Sequence, residues 1–135
     1  MIGLDTNVLV RYLAQDDARQ AVVATKLIDR QLSAAQPGFV SLVVLAELCW
    51  VLKRLYGATL PELLETIEDL LALPQFQVER REVVQAAVGR VKAVKGQKTG
   101  VVDALISELA SAEGCSHTLT FDRAAVRVGG MKLLA

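Results

Sequence analysis

The chain has 135 residues, and its 15 Lys and Arg residues balance its 15 Asp and Glu residues, so it is formally neutral at pH 7. This length predicts a single domain spanning residues 1–135, and the neutrality excludes a polycationic protein that wraps nucleic acid through charge alone. Hydrophobic residues make up 53% of the chain and aromatic residues only 4%. These values exclude disorder and favour packed helices and buried parallel strands over an antiparallel sandwich.

The N-terminal third of the chain predicts a strand, two helices and a second strand. Residues 1–4 are a short apolar run typical of a strand, and the apolar stretch 8–14 follows two polar residues that can cap a helix. Apolar residues recur at helical spacing over 16–32, until Pro37 and Gly38 interrupt the pattern. Phe39 and Val40 then predict a brief strand.

The middle of the chain predicts two helices with recognisable caps. Ser41 is placed to cap a long helix from Leu42 to about Tyr56, and Gly57 is placed to end it. Thr59 and Glu62 fit a capping box, in which each side chain accepts a hydrogen bond from a backbone amide at the start of the next helix.

The later elements alternate between helices and strands. In chain order they are a helix ending near Leu73, a strand at 76–79, a helix at 81–95, a loop at 96–100, a helix at 101–113 and a strand at 117–121. Residues 132–134 are too few for an assignment. Strands separated by helices predict right-handed crossovers and an α/β fold, with a mainly parallel sheet of four or five strands and helices on both faces.

Four acidic residues fall where such a fold places ligands, which is beyond the carboxyl ends of its strands. Asp5 follows the first strand, and Asp122 ends the strand TLTFD. Asp103 lies in the first turn of its helix, and Glu47 lies in the second turn of the helix capped by Ser41, between apolar neighbours where a charge needs a partner.

Taken one at a time, these acids have ordinary explanations as helix caps, first-turn acids or half of a buried ion pair. Taken together they would repel one another, and a shared pocket would need a divalent cation or trapped protons to compensate the charge. Hard oxygen ligands select Mg²⁺ or Mn²⁺.

Four segments resemble the PIN-domain ribonucleases, and among these the VapC-type toxins. They are LDTNVLV at 4–10, SLVVLAEL at 41–48, VVDALI at 101–106 and TLTFDR at 118–123. The resemblance covers essentially the whole chain. It implies a three-layer α/β/α PIN-like fold and a Mg²⁺- or Mn²⁺-dependent endoribonuclease, with a homodimeric assembly and a cognate antitoxin protein as inhibitor.

The resemblance also implies roles for particular residues. Asp5 and Asp103 would be the principal metal ligands, and Glu47 and Asp122 would complete the acidic pocket. The supporting residues would be Thr6, Asn7 and Ser41. Many relatives carry a further acid three residues before Asp103, where this chain has Gly100. This difference leaves open whether one or two metal ions bind.

Basic residues offer candidate contacts to the RNA backbone, and the same residues have an alternative explanation as a solvated surface. Lys95 and Lys98 belong to a basic run that also contains Arg90 and Lys92, and it precedes the Asp103 helix. Arg11 and Arg123 either contact phosphate or balance the acidic pocket. His117 is the only histidine, which excludes a two-histidine ribonuclease mechanism. We favour water activated by the metal as the nucleophile over a covalent enzyme intermediate.

Apolar residues of the two middle helices exceed what one small sheet needs. Most of them are explained by core packing, and the remainder predicts a groove for an amphipathic antitoxin helix. The set comprises Trp50, Leu52, Leu55, Tyr56, Leu63, Leu64, Ile67 and Leu71.

Two other functional classes are compatible with acids at a sheet edge. A catalytically silent PIN-fold binding protein would keep the acids without cutting RNA, and a phosphoacceptor signalling module would also bind Mg²⁺. The second class fits poorly, because it has paired acids after the first strand, whereas Thr6 and Asn7 follow Asp5 here.

The cysteines and the apolar runs bear on location. Cys49 and Cys115 lie far apart without a CxxC spacing and predict reduced, buried thiols. With no secretory leader and no apolar run long enough for a membrane span, the sequence predicts a cytoplasmic protein without a membrane partner.

Overall fold

The computed structural model of the chain describes residues 1–94 and 100–135, which separate into two units, Met1–Glu79 and Arg80–Ala135. Most of the predicted loop at 96–100 lies outside the described residues. In the first unit the elements are β1 (Ile2–Gly3), α1 (Thr6–Ala14), α2 (Ala18–Lys26), a π-helical turn (Leu27–Gln31), β2 (Gly38–Val40), α3 (Leu42–Tyr56), α4 (Leu60–Ala72) and β3 (Phe76–Val78).

The strands of the first unit form a parallel sheet in the order β1-β2-β3. Ile2 pairs with Gly38, and Gly38 pairs with Phe76. Two helices connect each strand to the next. Parallel neighbours need such a crossover connection, because the chain must return to the end of the sheet at which the previous strand began. The three strand ends therefore lie at one edge of the sheet.

The predicted caps of α3 and α4 are confirmed. The Ser41 hydroxyl accepts a hydrogen bond from the Val44 amide at 3.1 Å, and α3 ends at Gly57. At α4 both halves of the capping box are present, since the Glu62 carboxylate accepts from the Thr59 amide at 2.9 Å and the Thr59 hydroxyl accepts from the Glu62 amide at 3.3 Å. These bonds satisfy backbone amides that have no partner within the helix.

The apolar surplus of the middle helices divides as the sequence predicts. Five of its eight members are buried, namely Leu52, Leu63, Leu64, Ile67 and Leu71. Trp50, Leu55 and Tyr56 are exposed. Arg54 lies over the Trp50 ring, 5.7 Å from its centroid, which covers part of one indole face.

The second unit contains α5 (Arg81–Ala93), α6 (Val101–Ala112), β4 (Leu119–Thr120), α7 (Arg123–Gly129) and β5 (Lys132–Leu133). β4 and β5 pair in parallel, with Leu119 opposite Lys132. α6 packs against both α5 and α7. The core of the second unit is aliphatic, and the side chains of Val84, Val91, Ala104 and Val128 are almost completely buried.

The α/β class with parallel strands is confirmed, and every strand pair among the described residues is parallel. The helical pattern over 16–32 becomes α2 followed by the π-helical turn, because no regular α-helical bonding continues past Lys26. The strand predicted at 117–121 is reduced to Leu119–Thr120, where β5 supplies a partner. The sequence assignment contained neither α7 nor β5.

The buried environment predicted for both thiols is correct for Cys49 and wrong for Cys115, which is exposed. Cys115 follows the end of α6 in an irregular segment, where the residue is open to solvent. Over 1–94 and 100–135, none of the helices combines the length and the apolar character needed to span a bilayer.

Candidate functional site

Polar side chains follow each strand of the three-stranded sheet at its carboxyl edge. Asp5 comes two residues after β1, Ser41 directly follows β2, and Glu79 directly follows β3. Parallel α/β sheets bind their ligands at this edge. Glu79 was not predicted as a site residue, because the predicted strand at 76–79 included it; an acid directly after a strand was the available signal.

Asp5 and Thr6 differ in how their oxygens are used. Asp5 is the N-cap residue of α1, yet its carboxylate makes no capping hydrogen bond, and the residue is exposed. Thr6 is only 3% exposed, and its hydroxyl oxygen has no hydrogen-bond partner among the described residues. An unpartnered buried hydroxyl costs about 1–3 kcal/mol. The oxygens of Asp5 and Thr6 therefore favour a ligand that binds to oxygen atoms.

Ser41 and Glu79 are both engaged by the N-terminus of α3. The Glu79 carboxylate accepts a hydrogen bond from the Leu42 amide at 2.9 Å, next to the bond that the Ser41 hydroxyl accepts from Val44. The two side chains together satisfy two of the unpaired amides of α3. Their main role in the first unit is therefore to fix where α3 starts, and α3 carries Glu47.

Glu47 is exposed, contrary to the expectation that its charge needs a protein partner. That expectation came from its neighbours in sequence, whereas residues three and four positions away share its face of the helix. On that face Val43 is 79% exposed and Trp50 is 57% exposed, while Val44 and Val51 are half-buried. The Glu47 carboxylate is therefore accessible from solvent.

Asp103 and Asp122 interact electrostatically within the second unit. Asp103 lies in the first turn of α6, and Asp122 is the N-cap residue of α7, where its carboxylate accepts a hydrogen bond from the Ala124 amide at 2.9 Å. Burial raises the pKa of the Asp103 carboxyl, and repulsion from the Asp122 carboxylate raises it further. A cation bound to both carboxylates would relieve this repulsion.

Gly100, three residues before Asp103, has a backbone conformation and surroundings that leave no room for a side chain. Its φ of +130° is a conformation that side chains rarely adopt, and an added Cβ would lie 2.5 Å from a methyl carbon of Val128. Any side chain at this position, a carboxylate included, meets α7. The second unit consequently offers Asp103 and Asp122 as its predicted ligands and no third acid at residue 100.

Neither unit, within the residues described, brings together three or more His, Cys, Asp or Glu side chains in a group that could hold a metal ion. The second unit supplies the pair Asp103 and Asp122. The first unit supplies Asp5, the N-cap residue of α1, and Glu47 of α3, and these two helices pack against each other.

The basic candidates are in different environments. Arg11 donates hydrogen bonds to Asp16 at 3.1 Å and to Gln20 at 2.8 Å, so its guanidinium holds the connection between α1 and α2. Arg123 is exposed in the first turn of α7. Arg90 of the basic run is paired with Glu108 at 2.8 Å, and Lys95 and Lys98 lie outside the described residues.

A groove of about 410 Å³ lies between α1 and α2 in the first unit. Its lining combines aliphatic and polar side chains, namely Asn7, Val8, Arg11, Arg19, Gln20, Val23, Ala24 and Leu27. Asn7 therefore faces this groove, and Arg19 joins Arg11 as a second cation there. Arg19 was not predicted as a site residue, because an arginine on an amphipathic helix usually belongs to its solvated face.

Comparison with known families decides the fold family. A sequence model of the PIN domain matches residues 2–131. The chain belongs to the PIN-domain family. PIN domains are generally nucleases that use divalent metal ions, which places this PIN domain in the hydrolase class in coarse terms. No individual curated protein matches the chain.

Proposed function

We propose that this PIN domain is a metal-dependent endoribonuclease that hydrolyses RNA phosphodiester bonds and acts as the toxin of a VapC-type toxin–antitoxin pair. The observation that carries the nuclease proposal is the pair of carboxylates Asp103 and Asp122, which repel each other when both are ionised. A bound divalent cation would compensate this repulsion.

The proposed ligands of Mg²⁺ or Mn²⁺ are Asp5 and Asp103, with Glu47 and Asp122 completing the acidic set. The donor chemistry fits, because carboxylate and hydroxyl oxygens are the ligands that these hard cations prefer. The unpartnered Thr6 hydroxyl supports the fit. A water molecule bound to the cation would supply the hydrogen bond that this hydroxyl lacks. We assign supporting roles to Thr6, Asn7 and Ser41.

The cation, when bound, supplies Lewis-acid stabilisation of the charge that develops on the phosphate. The protein side chains supply position and proton transfer. The hydrogen bond from the Ala124 amide restricts the orientation of the Asp122 carboxylate. Glu47 is exposed and can accept the proton of an attacking water, which orients that water for displacement of the 3′ oxygen. The products would be a 5′-phosphate and a 3′-hydroxyl.

Contacts to the RNA backbone are proposed for Arg11, Arg123, Lys95 and Lys98. Phosphate contacts hold the strand without reading its sequence, so these residues would set affinity and not the cleavage sequence. Arg123 follows the proposed ligand Asp122 directly in the chain and is exposed, so it is available for a phosphate contact beside that acid.

The nuclease proposal is tested by incubating the purified chain with RNA in Mg²⁺, in Mn²⁺ and with a chelator. We expect cleavage with either cation and none with the chelator. Asp103→Asn should lower the rate roughly 100-fold or more, because a group that stabilises transition-state charge is lost. Asp69→Asn, an exposed acid on α4, is the matched control and should cut normally. Equal cleavage by Asp103→Asn and the original chain would refute the proposal.

The toxin proposal adds two partners. An amphipathic antitoxin helix would bind the exposed apolar part of α3, where Trp50 and Leu55 are 57% and 67% exposed. A second copy of the chain would form the homodimer. Because the family match includes residues of both units, we further propose that they constitute one PIN domain.

Expression in bacterial cells tests the toxin role. We expect growth arrest and new RNA ends with 5′-phosphates, and neither with Asp103→Asn at the same protein level. Co-expression of the cognate antitoxin should restore growth, and Trp50→Ala should weaken that rescue. Arrest of growth that persists in the Asp103→Asn variant would show that toxicity does not depend on the nuclease site.

A further inference from the structure

The C-terminal end of α7 packs on α6 without intervening side chains. A Cβ added at Gly129 would lie 3.1 Å from the carbonyl oxygen of Asp103, which is closer than almost all real Cβ contacts. Backbone therefore approaches backbone at the residue that carries one of the proposed ligands. The other proposed ligand of this unit, Asp122, caps the opposite end of the same seven-residue helix.

The next residue, Gly130, provides a seat for an arginine. Gly130 has a φ of +65°, and the space that its Cβ would fill is taken by the guanidinium group of Arg90 from α5. The Nε of Arg90 donates to the Glu108 carboxylate of α6 at 2.8 Å. The Glu108 side chain is only 19% exposed, so its charge depends on this partner more than a solvated acid would.

Arg90 thus contacts all three helices of the second unit. It belongs to α5, forms an ion pair with α6 and lies against the residue that ends α7. Burial of Ala125 and Val128 attaches the middle of α7 to the core, and Arg90 adds a contact at the C-terminal end of this helix. A seven-residue helix is about 10 Å long, and the Asp122 carboxylate is hydrogen-bonded to the Ala124 amide of its first turn. Holding the C-terminal end of α7 therefore restricts where this carboxylate lies.

We infer that Arg90 and Glu108 are positioning residues, which hold α7 against α6 so that the carboxylates of Asp103 and Asp122 stay together. The inference rests on the proposed function, because the carboxylate pair is assigned there as a metal site. It also gives Arg90 a role different from the RNA contact that its place in the basic run suggests. The ion pair acts through α7 and contacts neither RNA nor the cation.

The test uses Arg90→Met, which removes the charge but keeps most of the side-chain volume, and the milder Glu108→Gln. Arg81→Met is the matched control, because Arg81 is an exposed arginine on the same helix. Binding of Mn²⁺ to the full chain is measured by calorimetry, and RNA cleavage gives kcat and KM. We expect both test variants to bind Mn²⁺ roughly 10-fold more weakly, as for residues that orient metal ligands, while the control binds normally.

The kinetic parameters separate positioning from substrate binding. We expect a lower kcat with an unchanged KM for RNA, and the double variant should be no worse than Arg90→Met, because the two residues act as one unit. Unchanged Mn²⁺ affinity in a folded Arg90→Met variant would overturn the inference. An increased KM with normal Mn²⁺ affinity would overturn it as well, because Arg90 would then be an RNA contact.

Amide hydrogen exchange tests the attachment of α7 without any metal. Arg90→Met should accelerate exchange at Val128 of α7 and leave exchange at Ile67 of α4 unchanged. If the original chain binds no Mn²⁺ but Val128 responds in this way, the proposed metal site fails while the attachment stands. If Val128 does not respond, the positioning inference fails whatever the metal result.

Discussion

Substitution of Gly100 by alanine tests most directly how closely the start of α6 packs against Val128 of α7. Two separate costs apply. A side chain at a φ of +130° costs about 1–3 kcal/mol of backbone strain. The added Cβ would also approach the Val128 methyl carbon to 2.5 Å, and overpacking of this kind costs about 1–3 kcal/mol. We therefore expect Gly100→Ala to lower the free energy of unfolding by roughly 2–6 kcal/mol.

Urea unfolding followed by circular dichroism measures this loss, and a double-mutant cycle assigns its steric part. Val128→Ala alone should destabilise the protein by about 1–3 kcal/mol, because Val128 is almost completely buried. In the double variant the methyl groups that clash are absent, so the combined loss should be smaller than the sum of the two by about 1–3 kcal/mol.

The control for this experiment is Gly89→Ala on α5. An added Cβ at Gly89 meets no atom within 4 Å, and alanine is the better helix former, so this variant should gain about 0.5–1 kcal/mol. Losses at Gly100 and Val128 that simply add would refute the steric argument. A Gly100→Ala variant as stable as the original chain would refute both parts of it.

Three further predictions concern a cap, a thiol and an acid. Thr59→Ala should lower the free energy of unfolding by about 1 kcal/mol in urea titration, whereas Thr59→Ser keeps the hydroxyl and should lose less. Burial raises the pKa of Cys49 to about 11, so a thiol reagent at pH 8 should modify exposed Cys115 in the native protein and Cys49 only after unfolding. The raised pKa of Asp103 favours its protonated form in the native state, so its contribution to stability is lost as pH rises through that pKa. Asp103→Asn should therefore raise Tm at pH 7 relative to the original chain and leave it nearly unchanged at pH 3; an equal effect at both pH values would contradict this cause.

Features that depend on nearby residues were predictable from the sequence. The caps at Ser41 and Thr59 require only a side-chain oxygen and the amides of the following turn, so their spacing along the chain is sufficient. The strand positions followed from short apolar runs between helices, and the parallel pairing followed from the length of the connections.

Features that depend on tertiary packing were not predictable in the same way. α7 has seven residues, too few for a clear helical period, and is stabilised by the Asp122 cap and by burial of Ala125 and Val128. The exposure of Glu47 depends on which face of α3 packs inward. The pairing of Arg90 with Glu108 joins two helices and has no signature in local sequence.

The candidate site was predictable as a set of residue types and only partly as an arrangement. The motifs identified Asp103 and Asp122, and the structure places these two close enough to affect one another. Glu79 was not identified, because the predicted strand ended one residue too late. A shift of one residue decides whether a side chain belongs to the strand or lies just beyond its carboxyl end.

The short parallel strands of the first unit have a consequence for how the chain folds. β1 and β2 meet only after α1, α2 and the π-helical turn have been traversed, and β2 meets β3 only after α3 and α4. Strands of two or three residues cannot persist alone, so each pairing must wait until its intervening helices have formed and closed the connection. Long-range contacts of this kind slow folding, and we expect the sheet edge that carries Asp5 to assemble last, with the helices already in place.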